Sequence, residues 1–115
     1  MDIYVDFSGK AALTAYATGG QANALLLDSN INWVDIVATT GDSCKLDAAL
    51  PVTAGSTVKI REVVNLGAND MDLYPATGEQ FQEGASLIGV NAAISIAAGN
   101  GRKFICFTAG IWRTY

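Results

Sequence analysis

The closing run from Arg102 to Tyr115 constrains this chain most, because Phe104, Ile105, Cys106, Phe107, Ile111 and Trp112 put apolar groups on both faces of any extended segment. Successive side chains of a strand point to opposite faces, so a strand apolar on both needs cover on both. The chain must therefore build a sheet with a second layer on one side and a neighbouring subunit or further layer on the other.

The length of 115 residues sets one domain, which on folding buries roughly two thirds of the surface its unfolded chain exposes. Half of the residues are hydrophobic, but alanine supplies much of that fraction and contributes little burial energy per residue. Self-association would add burial. A net charge of -4 disfavours nucleic acid, whose phosphates attract basic surfaces. The apolar run Ala24–Leu27 falls far short of the ~20 residues of a membrane-spanning helix. The first residues carry no basic region followed by an apolar core, so synthesis in a cytoplasm is expected. Cys44 and Cys106 both sit in strand-like segments, where a reduced thiol packs as a small apolar group.

Ile3–Phe7 alternates with a period of two and reads as a strand or as an arm lying on a partner. Residues 8–27 are alanine-rich, broken at Gly19-Gly20, and read mostly as loop. Ile31–Thr40 reads as a strand with Val34, Ile36 and Ala38 on one face and Trp33, Asp35 and Val37 on the other. Ser43–Leu46 is a short strand, and Pro51 marks an irregular connection. In Thr57–Asn65 the alternation points Val58 and Ile60 inward and Lys59 and Arg61 to water, with a bulge near Glu62 or Val63 turning the carboxylate outward. Met71–Tyr74 returns from a turn, Phe81 sits in a loop, and Asn100-Gly101 signals a hairpin between Ala93–Ala97 and Arg102–Ala109. Roughly eight or nine short strands with no amphipathic helix predict an all-β fold, a compact antiparallel β-sandwich or barrel of jelly-roll-like kind. An N-terminal arm and loop region over 1–24 would precede a sandwich domain over 25–115.

The chain has no histidine, which removes the commonest general base and metal ligand together. Gly99–Lys103 reads as a turn with basic flanks, and Asn69–Asp72 as a solvated strand start without calcium-loop spacing. Asp35 beside Trp33, and Glu62 among apolar neighbours, are the places where a carboxylate pair for glycoside cleavage would be sought. Surface acids explain both, so no catalytic, cofactor or metal residues are assigned. Trp33, Phe104, Phe107 and Trp112 read as core or subunit-interface aromatics. Tyr74 and Phe81 are the candidates for stacking on a ligand such as a sugar ring.

Cys44–Pro51, Ala54–Ile60, Val64–Asn69, Leu73–Gly78, the loop through Gly84, the Ala93–Gly101 turn region and Trp112 resemble small virion proteins of tailed bacteriophages, over about Leu25 to Tyr115. The resemblance is to capsid decoration (cement) proteins and to fibre-tip modules. It implies a homotrimer on the outer capsid surface that binds the major capsid protein and does no chemistry. The short stretch ahead of the domain favours a decoration protein over a fibre module. Its arm, through Ile3, Tyr4, Val5 and Phe7, would dock on the shell. A receptor- or carbohydrate-binding fibre tip is the alternative implied.

Overall fold

The computed structural model describes residues 8–18, 20–49 and 58–115. In chain order it forms β1 (Gly9–Thr14), α1 (Gly20–Asn23), β2 (Leu25–Leu27), β3 (Ile31–Ile36), β4 (Ser43–Leu46) and β5 (Lys59–Asn65). These are followed by β6 (Met71–Tyr74), β7 (Gln80–Glu83), β8 (Ser86–Leu87), β9 (Ile94–Ile96), β10 (Gly101–Thr108) and β11 (Ile111–Thr114). One sheet has seven strands in the order β1-β3-β5-β10-β11-β7-β8, and the other has four in the order β2-β4-β6-β9.

The all-β expectation holds, but the antiparallel, jelly-roll-like pairing does not form. β1, β3 and β5 pair in parallel, as do β2, β4 and β6. Up to β6, odd-numbered strands enter the larger sheet and even-numbered strands the smaller. The chain thus winds as a flattened coil of three turns. The rest of the chain adds antiparallel pairs, β10 on β5 and β11, β9 on β6 and β8 on β7, together with one more parallel pair, β11 on β7.

Connections that look like hairpins in the sequence therefore cross from one sheet to the other. Between β5 and β6, Asn65 is buried, its Nδ2 donates to the carbonyls of Asn69 and Ile96, and its Oδ1 accepts from Gly67 N. Asn69 in turn donates to Val37 O and Ala38 O of the crossing below. These side chains satisfy the backbone groups that a corner strips of ladder partners. Gly67 fits because a Cβ there would lie 2.6 Å from Val37 N, a backbone atom that cannot swing aside. The expected hairpin at Asn100-Gly101 is another such crossing. Its left-handed residue is Gly99 (φ 81°), and Gly99 N and Asn100 O are both bonded to the end of β5.

Leu27, Leu46, Met71, Leu73 and Ile96 from the smaller sheet meet Val34, Val63, Phe81, Phe104 and Trp112 from the larger, all fully or almost fully buried. Residues 9–18 and 20–24, expected as arm and loop, belong to this sandwich, since β1 joins the larger sheet and Ala15 and Ala24 are buried. The alternation expected along β3 holds to Asp35 and then slips, leaving Ile36 half exposed and Val37 buried.

Candidate functional site

The larger sheet has an unusual outer face, and β5 is the reason. Hydrophobicity alone would turn Ile60 inward and Lys59 and Arg61 to water; the structure does the reverse. Arg61, Val63 and Asn65 are buried, while Ile60, Glu62 and Val64 point outward. Asp47, just beyond β4, makes this orientation workable. It accepts from Arg61 Nε and Nη2 at 3.0 and 2.8 Å and from Lys59 Nζ at 2.8 Å. Lys59 also donates to Ala48 O and stands 5.8 Å from the centroid of the Trp112 ring. Burial alone would push the Asp47 carboxyl up, but the hydrogen bonds and charges of Arg61 and Lys59 outweigh it and hold the group below its ordinary value. Glu79, beside this cluster, goes the other way. Its burial pushes the carboxyl up although Ala49 N donates to both oxygens. With the cations inside, no bulge is needed at Glu62, and the β5–β10 register runs unbroken from Lys59 to Val64.

The consequence is an outer face with apolar rows. Cross-strand partners share a face, so Ile60 lines up with Ile105 and then Arg113, and Trp33 with Val64. Between those rows lie Ile31, Glu62 and Lys103, with Tyr115 N donating to Lys103 O at the far side. Trp33 is 46%, Phe107 53% and Tyr115 63% exposed. The Arg113 guanidinium sits 5.9 Å from the Phe107 ring centroid. Two shallow depressions meet at Ile31: one of about 270 Å³ reaching Glu62, Lys103 and Tyr115, the other of about 240 Å³ reaching Lys10 and Trp33. The smaller sheet differs. It turns Lys45, Asp72, Tyr74 and Ser95 outward, and α1 lies against β4.

The sequence-predicted aromatics separate accordingly. Phe104 and Trp112 are core, whereas Trp33 and Phe107 stand on the open outer face. Tyr74 is half-buried on the smaller sheet. Phe81 is fully buried with its ring centroid 5.3 Å from that of Phe104, so it packs the core and offers no surface to a ligand. Ile3, Tyr4, Val5 and Phe7 lie outside the described residues. The two-faced closing run is sealed on one side only within a single chain. Hydrophobic alternation puts Ile60 inside because it carries the opposite phase to the one β5 adopts. The signal available was Asp47, an acid placed to receive two cations.

Chemically, the face offers apolar and aromatic surface with Glu62, Lys103 and Arg113 set among it, a surface suited to binding. Cys44 and Cys106 are both buried, and burial together with the Asp42 charge pushes the Cys44 thiol up to about 12, which keeps it protonated. Among the described residues no group of three histidine, cysteine, aspartate or glutamate side chains could hold a metal ion. Fold and face together define a β-rich module of two packed mixed sheets, the larger of which carries apolar rows and exposed aromatics on its outer face. Comparisons with protein-family models, curated proteins and solved structures return no match.

Proposed function

We propose that this chain is a structural virion protein, a capsid decoration or cement protein that binds the outer capsid surface and stabilises the shell without catalysis. The observation that carries this reading is the outward row of Ile60, Ile105 and Phe107 on a sheet whose inner face already fills the core. Contiguous apolar surface of this kind marks an interaction site on a soluble domain. The resemblance to small phage virion proteins supplies the setting: the major capsid protein as partner, a homotrimer as assembly, and the virion surface as location. A rigid β scaffold loses little entropy on docking, and repeated copies on a symmetric shell make weak single contacts sufficient.

Purified protein should sediment with undecorated capsids and raise their resistance to heat. Ile105→Glu puts a charge into the outward row, where substitutions cost the fold little, and should abolish both effects with circular dichroism unchanged. No sedimentation and no heat protection by the unaltered chain would refute the reading.

A second reading, a fibre-tip module binding a receptor or carbohydrate, draws on the half-exposed Trp33 ring beside the Lys10 depression. It requires glycan binding that Trp33→Ala removes while shell binding stays absent.

A further inference from the structure

We infer that the apolar outer face of the larger sheet takes a second copy of this chain, packed face to face about a two-fold axis that runs between Glu62 and Lys103. The inference rests on reading that face as a docking surface, as above, but changes its occupant: a second copy covers it, and the shell meets the pair through the surfaces left outside. Glu62 and Lys103 are direct cross-strand neighbours at its centre, flanked by Ile31, Ile60 and Ile105. Among the described residues neither side chain has a hydrogen-bond or ion-pair partner. Opposite charges set side by side in an apolar surround are self-complementary. A two-fold axis in the plane of the face, passing between them at right angles to the line that joins them, brings each Glu62 onto the partner's Lys103, two contacts in all, whereas an axis along that line would set like charge against like.

Size points the same way. Six strand intervals of about 4.8 Å and strands averaging roughly 17 Å give the face on the order of 500 Å² in projection, more than half of the roughly 800 Å² per partner of a stable interface. The pleated surface exposes more than its projection. Trp33, Phe107 and Tyr115 would supply the aromatic anchors on which such interfaces concentrate their binding energy. Pairing also gives an even-numbered assembly, in place of the homotrimer that the resemblance implies, and presents two copies of every surface left outside the pair to a shell.

The experiment is a charge swap read by sedimentation equilibrium on the full chain. The unaltered protein should have the mass of two chains. Glu62→Lys and Lys103→Glu should each weaken association at least tenfold, because each sets like charges against each other at both contacts. An equimolar mixture of those two variants should recover the two-chain mass, since every contact in the mixed pair is again complementary. Glu62→Gln mixed with Lys103→Gln regains only one of the two Glu–Lys contacts and should associate more weakly than the charge-swap mixture, and circular dichroism on each variant guards against loss of fold. A monomer or a three-chain mass for the unaltered protein, single variants that associate as it does, or a swap mixture that stays monomeric would each overturn the inference. A monomer that still sediments with capsids removes only the second copy, whereas a dimer that ignores capsids removes only the shell.

Discussion

Replacing Asp47 by asparagine should lower folding stability by about 3–5 kcal/mol, the cost typical of breaking a buried ion pair from one side. Arg61 is 8% exposed and Lys59 is largely covered, and both depend on this one carboxylate. Asparagine is nearly isosteric but uncharged, so it leaves two cations inside the sandwich with only carbonyl oxygens to receive them. Stabilities of natural domains run to about 5–15 kcal/mol, so a loss of this size brings the chain near its unfolding threshold at ordinary temperatures. Urea titration followed by circular dichroism measures it. The pH dependence follows from the sign of the shift. Because the Asp47 carboxyl is held below its unfolded value, its contribution is fully present above about pH 4 and is lost as pH falls through the folded value. The gap between the two proteins should therefore close in acid. Glu79 has the opposite sign. Raised by burial, it stabilises the fold fully only below about pH 4.3, and that contribution disappears as pH rises through its folded value. Glu79 thus offsets part of the acid loss from Asp47.

Trp112→Ala should cost about 3–5 kcal/mol, the range for removing a fully buried large aromatic and leaving a cavity. Trp112 pairs with Phe81 across β11 and β7 and supports Lys59 with its ring, so its loss empties the place where charge cluster and core meet. Trp112→Phe is the informative companion. The indole N–H is buried with no hydrogen-bond partner among the described residues, a state that itself costs about 1–3 kcal/mol. Phenylalanine removes that donor along with some volume, so the two effects offset and the loss should be much smaller than for alanine. Equal losses in thermal unfolding for the two variants would mean that the N–H is satisfied.

Much of the strand content was legible in the sequence. β3, β4, β5, β6, β9, β10 and β11 fall where alternation and turn residues place them, with ends shifted by a residue or a few. β1 was hidden because Gly-Lys-Ala-Ala-Leu-Thr has little strand propensity and is held at a sheet edge by pairing with β3. β7 was hidden because it has only Phe81 to mark it, between glutamines. Pairing was not legible at all. A turn such as Leu66–Asp70 looks the same whether it returns a strand to its own sheet or carries it across to the other. What decides is Asn65 and Asn69 bonding to distant carbonyls. The candidate face was half legible. The closing run announced apolar groups on two sides, but the phase of β5 depended on a charge pairing between residues 14 apart in sequence. Hydrophobic alternation carries no information about that.

The measurement that bears most directly on this account is hydroxyl-radical footprinting of Trp33, Phe107 and Tyr115, in the dilute chain and on decorated capsids. The account predicts ready oxidation of all three when the chain is dilute and strong protection on the particle, with buried Phe81 and Phe104 unreactive in both. Equal oxidation of the three outer aromatics in the two states would contradict it, because the sheet face would then lie open where it is claimed to be covered.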